Sequence, residues 1–399
     1  MGEKTRFRPK RRATQDSHAV ADRQTVLLPP TAHRGDAHPG EPTGGIARLT
    51  DPLSVWLAVL PGMAEVTVAE LARLGHRATA ARGGLQVALP AGSLPELLGR
   101  LRTAEQLLID CGQTAVADVA DLDRIAGELA VRGWLRGPAP RWVLHATALT
   151  TSLAARLQRA LDARPDPRPG DADHPPTVVH LTVARAAAVL AIDPAGYPLH
   201  QRGYRLAPGP APLRETLAAA ALQWAGHQPG MTVWDPCCGS GTFGIEALLA
   251  ERPVNLRPWA CVPAPSPANV PIAGLALCGD FDAEQVGRTL ANAERGGVAG
   301  RLCAEVREMA AWSPDPTIDL IASNLPWGDR LGSRADARRI VQRWAAAVAR
   351  TAPDRPAVVV VAEPQLADDT GLRDRRVLAT RNGGKAVWLV AGRTVGRRP

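Results

Sequence analysis

Eighteen residues, TVWDPCCGSGTFGIEALL (Thr232 to Leu249), leave this chain few folds to choose from. A short apolar strand runs into Asp235, then a glycine turn, then an apolar stretch with helical spacing. Gly239 and Gly241 lack Cβ, so the backbone there can approach a ligand closely. The helix opening at Thr242 adds free N–H groups. A G-x-G turn by itself fits many nucleotide sites, and equally a plain tight turn in a Rossmann-like sheet. It is not the phosphate-cradling loop G-x-x-x-x-G-K-[ST], because no lysine follows.

The surrounding pattern extends this unit. Helical stripes over 213–224, 242–250, 283–293 and 335–349 alternate with apolar runs at 232–234, 275–280, 318–323 and 357–362. Such runs read as parallel strands covered on both faces. Segments 376–380 and 386–391 flank Asn382-Gly383-Gly384 and read as a closing hairpin. The fold class is therefore α/β, a doubly wound Rossmann-like sheet. Residues 251–271 hold six prolines and read as an irregular surface insertion.

Upstream the elements are shorter. Strands at 55–60, 85–90 and 106–111 alternate with helices at 63–75 and 94–101, a small α+β unit over 46–112. A looser repeat fills 113–205, with helices at 122–132 and 153–163 and strands at 141–146, 178–183 and 188–193. Residues 1–45 lack a hydrophobic period and read as a disordered basic tail, with an RNA-tethering arm as the alternative.

Two further segments carry chemistry. In LCGDFDAEQV (Leu277 to Val286), Asp280 ends a strand where a doubly wound fold binds ribose hydroxyls, and Asp282 is placed to cap the next helix. In IDLIASNLPWGDR (Ile318 to Arg330), a buried strand ends in Asn324-Leu325-Pro326-Trp327. Asn-x-Pro is common turn chemistry, but a turn does not require the large aromatic that follows. An amino group conjugated to a purine ring does need such a set. The Asn324 side-chain oxygen and the Leu325 carbonyl each accept one N–H, Pro326 stiffens the turn, and Trp327 offers a stacking face to an extruded base.

Together these segments resemble class I S-adenosylmethionine-dependent methyltransferases that act on exocyclic amines. The stretch LAIDPAGYPLHQRGYRLAPGPAPLRETLAAAAL (Leu190 to Leu222) resembles the THUMP-domain RNA guanine-N2 methyltransferases more closely. LPGMAEVTVAELARLG and LRTAEQLLI are similar to that family's N-terminal ferredoxin-like region. The resemblance implies a ferredoxin-like region at 46–112, a THUMP-like RNA-capture region and linker at 113–205, and a seven-stranded methyltransferase domain at 206–399.

It also implies S-adenosylmethionine as cofactor, held by Asp235, Cys237, Gly239, Ser240, Gly241, Thr242, Asp280 and Phe281. Pro212 to Thr216 either closes over the cofactor or simply caps a helix. The catalytic set is Asn324, Leu325, Pro326 and Trp327. Two positions depart from the family. The acidic residue usual near the adenine is expected at Ala310 in VREMAAW, and the tetrad has Leu325 for the usual Pro and Trp327 for the usual Tyr.

The implied partner is structured RNA, tRNA favoured and ribosomal RNA the alternative. Other readings are a DNA adenine-N6 or protein glutamine methyltransferase, or an RNA-binding protein with a decayed catalytic half. Vicinal Cys237-Cys238 reads as packing under the glycine turn, with redox or metal work as the alternative. Net charge +8 and pI 9.7 admit nucleic acid. Only Lys4, Lys10 and Lys385 are lysines, so the arginine abundance reflects coding bias as much as binding. Residues 206–399 carry 22 basic and 19 acidic side chains, so RNA affinity is expected from the region before them. No apolar run nears the ~20 residues of a bilayer span, and no apolar core follows the basic start. Six scattered cysteines make no framework and no C-x-x-C pair. The expectation is a cytoplasmic enzyme, without a metal, and a monomer.

Overall fold

The computed structural model describes residues 51–135, 140–146, 152–164, 175–184, 187–205, 212–254, 256–261, 270–314, 317–326 and 333–396. The expected tail at 1–45 lies outside them, as does Trp327. Among the described residues, no helix is long and apolar enough to cross a membrane.

The first body comprises β1 (Leu53–Val59), α1 (Ala64–Arg73), β2 (Ala78–Ala81), β3 (Gly84–Leu89), α2 (Leu94–Arg100), β4 (Ala104–Ala115), α3 (Ala120–Val131), β5 (Arg141–Ala146), α4 (Ser152–Asp162), β6 (Val178–Ala184) and β7 (Ala187–Asp193). Its strands form one sheet in the order β2-β3-β1-β4-β7-β6-β5. The twelve-residue β4 is the hinge of this arrangement. Its Ile109 faces Val55 of β1 on one side and Ile192 of β7 on the other. The two regions expected at 46–112 and 113–205 thus share a sheet, and the 112/113 boundary falls inside a strand. β2, with sequence ATAA, has no periodicity of its own and becomes a strand by pairing with β3.

The second body comprises α5 (Glu215–Trp224), β8 (Thr232–Asp235), α6 (Thr242–Leu249), β9 (Leu275–Asp280), α7 (Ala283–Arg295), β10 (Leu302–Val306), β11 (Leu320–Asn324), α8 (Arg334–Thr351), β12 (Pro356–Val361), α9 (Leu366–Asp369), β13 (Arg373–Asn382) and β14 (Lys385–Arg393). The seven strands run β10-β9-β8-β11-β12-β14-β13. The first five are parallel, and β14 lies antiparallel to both its neighbours. This is the doubly wound, Rossmann-like sheet. Alternate residues of β12 show why its run is continuously apolar. Val358 and Val360 pack with Leu217 and Phe243 on one face, whereas Val359 and Val361 pack with Trp234 and Trp344 on the other.

Of the expected surface insertion at 251–271, residues 255 and 262–269 lie outside the described residues, and the stretch ending at Cys261 turns inward. Trp259, Ala260 and Cys261 are buried, and Trp259 and Cys261 belong to the core of the first body. The Ala260 N–H donates to the Pro194 carbonyl at 3.0 Å, and the Val254 N–H donates to the Gly99 carbonyl at 2.8 Å. Proline excludes regular structure from this segment, yet its apolar side chains still fill a notch at the end of β7. The segment straps the two bodies together.

Candidate active site

In the second sheet the chain order reverses beside β8, whose neighbours are β9 and β11. Ligands of doubly wound folds bind outside the carboxyl ends of strands at such a point. A cavity of about 640 Å³ opens there, and Asp235, Asp280 and Asn324, the last residues of the three strands, all line it.

Asp235 is 2% exposed. Its carboxylate accepts from the Cys237 N–H at 3.1 Å and from the Ser323 hydroxyl. Burial pushes its pKa up to about 8, and the nearby Asp280 adds to the rise. The glycine turn that follows is clamped by α7. The Thr289 hydroxyl donates to the Gly239 carbonyl at 2.8 Å, and the Asn292 side chain donates to the Ser240 carbonyl at 3.0 Å. Gly241 sits at φ +80°, where a Cβ would meet Thr289 Cγ2 at 2.6 Å. Gly239 sits at φ +54°, and a Cβ there would meet no atom within 4 Å.

Asp280 holds the same turn from the next strand. One carboxylate oxygen accepts from the Gly239 N–H and the other from the Asp282 N–H, both at 3.0 Å. Burial raises its pKa above the ordinary carboxylate range. Asp282 caps α7 by accepting from the Glu284 N–H at 2.9 Å. Phe281 lines the cavity and is 78% exposed.

Cys237, Gly239, Ser240, Thr242 and Pro326 also line the cavity. Gly241 does not; it shapes the turn from behind. The Leu325 side chain is 2% exposed and packs in the cluster of Trp234 and Trp344, so its backbone is the part left for a ligand. Trp327 is outside the described residues. Cys237 Sγ lies 3.6 Å from Met309 Sδ, while Cys238 is buried beneath the turn with Ile245. Pro212 and Leu213 line the cavity from the start of α5.

Two positions before Ala310, where the resembling family usually has an acidic residue, this chain has a carboxylate facing the cavity. Glu308 lines the cavity, accepts from the Ala310 N–H at 2.9 Å and pairs with Arg343 of α8 at 2.7 Å. Ala310 itself is exposed. β10 ends at Val306, and Glu308 follows it after one intervening residue. Among the described residues, no group of three or more His, Cys, Asp or Glu is placed to hold a metal ion.

Residues 202–387 match the UPF0020 family, RMKL-like, methyltransferase domain. The ribosomal RNA large subunit methyltransferase K/L of Ectopseudomonas mendocina (strain ymp) is 33% identical over 271 residues, which are 60% of this chain and 37% of that protein. The chain thus spans little more than a third of that relative. SMU.472, solved in complex with SAH, superposes with a TM-score of 0.67 at 18% identity, over 87% of this chain and 99% of its own. TrmN from Thermus thermophilus superposes with a TM-score of 0.58 at 20% identity, over 86% of this chain and 99% of its own. Both likenesses cover the two bodies described above, so the fold of the RMKL-like match continues into a shared two-body architecture.

Proposed function

We propose that this chain is an S-adenosylmethionine-dependent RNA methyltransferase acting on the exocyclic N2 amine of a guanosine. One observation carries the reading: Asn324 and Pro326 of the amine-handling turn open on the same cavity as Asp235 and Asp280. When bound, S-adenosylmethionine supplies a methyl group made electrophilic by its sulfonium. The residues present fit that molecule. The open side of Gly239 leaves room for a ligand against the backbone, Asp280 and Glu308 offer carboxylates to hydroxyl and amine donors, and buried Asp235 offers one to an ammonium group.

The protein's own part is positioning. Asn324 and the Leu325 carbonyl accept the two N–H bonds of the amine, which aims its lone pair out of the ring plane. Burial of the Leu325 side chain holds that carbonyl in place. Attack along the line of the departing sulfur then depends on alignment more than on a base. The stacking role of Trp327 rests on the sequence.

Two RNA classes stand behind this reading. The Asn-Leu-Pro form of the turn, as in the tRNA-acting branch of the resembling family, favours tRNA. The identity to a ribosomal RNA large subunit methyltransferase favours ribosomal RNA. Nucleoside mass spectrometry of both RNAs from a deletion strain decides between them.

Asn324→Ala tests the chemistry itself. It is expected to bind S-adenosylmethionine as the wild type does in calorimetry and to lose roughly 10²–10³-fold in methyl transfer. Near-normal turnover would refute the assigned chemistry.

A further inference from the structure

Glu105 belongs to β4 in the first sheet, yet its carboxylate serves the second body. One oxygen accepts from Arg214 Nη1 at 2.6 Å, and the other accepts from the Thr216 hydroxyl. Both donors are buried and lie at the start of α5. Immediately before them, Pro212 and Leu213 line the cavity.

The same segment is held from two more sides. Asn382, at the turn between β13 and β14, accepts from the Arg214 N–H and donates to the Pro212 carbonyl, both at 3.0 Å, and so brackets Leu213. Arg205 donates to the Leu213 carbonyl at 2.8 Å and pairs with Glu215. Residues 212–214 are outside any helix or strand, and Arg214 is extended at ψ 141°. Their position therefore depends on these side chains and not on a backbone ladder.

We propose that Glu105 is a positioning residue for the cofactor, fixing Pro212 and Leu213 against the cavity through Arg214 and Thr216. The first sheet is then part of the cofactor site and not only a holder of RNA. A charge-assisted hydrogen bond is about twice as strong as a neutral one, so the carboxylate is a strong tether on this segment from the first sheet. The inference rests on the reading that the cavity takes S-adenosylmethionine.

The test uses the full-length protein, with Glu105→Gln and Glu105→Ala. Calorimetry with S-adenosylmethionine measures affinity, and hydrogen–deuterium exchange follows the amides of Leu213 to Thr216. Glu105→Ala is expected to weaken S-adenosylmethionine by roughly tenfold or more and to speed exchange in this segment, with β8 and β9 unchanged. Glu105→Gln retains an acceptor for Thr216 and should recover part of both effects, which a purely structural role would not produce. Should Glu105→Ala fail to fold, the glutamine variant decides alone. Wild-type affinity with wild-type exchange at 213–216 would overturn the proposal, and so would a uniform rise in exchange across both sheets. Failure of the wild type to bind S-adenosylmethionine would instead refute the reading of the cavity, and the exchange data would still decide the positioning role.

Discussion

Trp344 Nε1 donates to Ser323 Oγ across 3.0 Å, and the Ser323 hydroxyl donates onward to the Asp235 carboxylate. All three side chains are buried. The relay ties α8 to the carboxyl ends of β11 and β8, one residue before Asn324. The core packing of a helix thereby sets where the segment Asn324 to Pro326 begins.

Ser323→Ala cuts that relay. It leaves the Trp344 N–H buried without its acceptor and deprives Asp235 of a donor. A loss of about 1–3 kcal/mol is expected, read as a shift of the urea midpoint. An unchanged midpoint would show that the relay carries no stability.

Asp235 imposes a pH dependence whose sign follows from its pKa of about 8. An unfolded carboxyl titrates at about 3.9, so between those values the native state holds the proton and the unfolded state does not. Stability from this group therefore falls as pH rises through that window. Asp280, also raised by burial, acts in the same direction. An ammonium group beside Asp235 favours its ionised form, so binding of S-adenosylmethionine at pH 7 should release a proton and tighten up to about pH 8. Calorimetry in buffers of different ionisation enthalpy measures that release, and Asp235→Asn should abolish it.

The two turn glycines should fail in different ways. Gly241→Ala places a Cβ 2.6 Å from Thr289 Cγ2 at φ +80°. It is expected to lower stability by about 1–2 kcal/mol from the left-handed conformation alone, measured by thermal melting. Gly239→Ala carries the same left-handed strain at φ +54° but meets no protein atom, so beyond that shared cost it should lose S-adenosylmethionine affinity. If both variants lost only stability, the open side of Gly239 would not face the ligand.

Residues 206–399 alone should not melt cooperatively. Removing the first body strips Met63 and Val66 from the cluster of Leu213, Leu217 and Phe243. It also takes Arg205 from Glu215, Tyr204 from Glu246, and Glu105 from Arg214. The sequence alone suggests that chemistry and RNA capture are separable halves, and this interface argues otherwise. Circular dichroism melting of the fragment beside the full chain checks it; a sharp transition in the fragment would restore the separable picture.

Asp235, Asp280 and Asn324 were legible because each ends an apolar strand, and parallel strands gather their carboxyl ends along one edge. Asp282 was legible as a cap because capping is local. Elsewhere the deciding partners are distant in sequence. β2 exists only through β3, and β10, which no expected strand covers, is a half-exposed edge whose sequence LCAEV lacks a continuous apolar run. Trp259 reads as a surface residue in the sequence because its pocket is built by residues some sixty positions earlier. Glu308 stands out only in the fold, where a short helical turn over Met309–Ala311 follows it and its side chain reaches the cavity. Glu105 carried no motif, since its partners lie more than a hundred residues away.

The strap ending at Cys261 also sets a schedule for the chain's birth. Trp259 and Cys261 complete a core whose last strand ends at Asp193. At ~5–20 residues per second, a ribosome needs on the order of several seconds to travel from one to the other. During that interval the first sheet has all seven of its described strands and still lacks two pieces of its interior. An unfinished hydrophobic notch waits at the end of β7, and the polypeptide that closes it comes from the middle of the other body, so neither half can be completed before the other has begun.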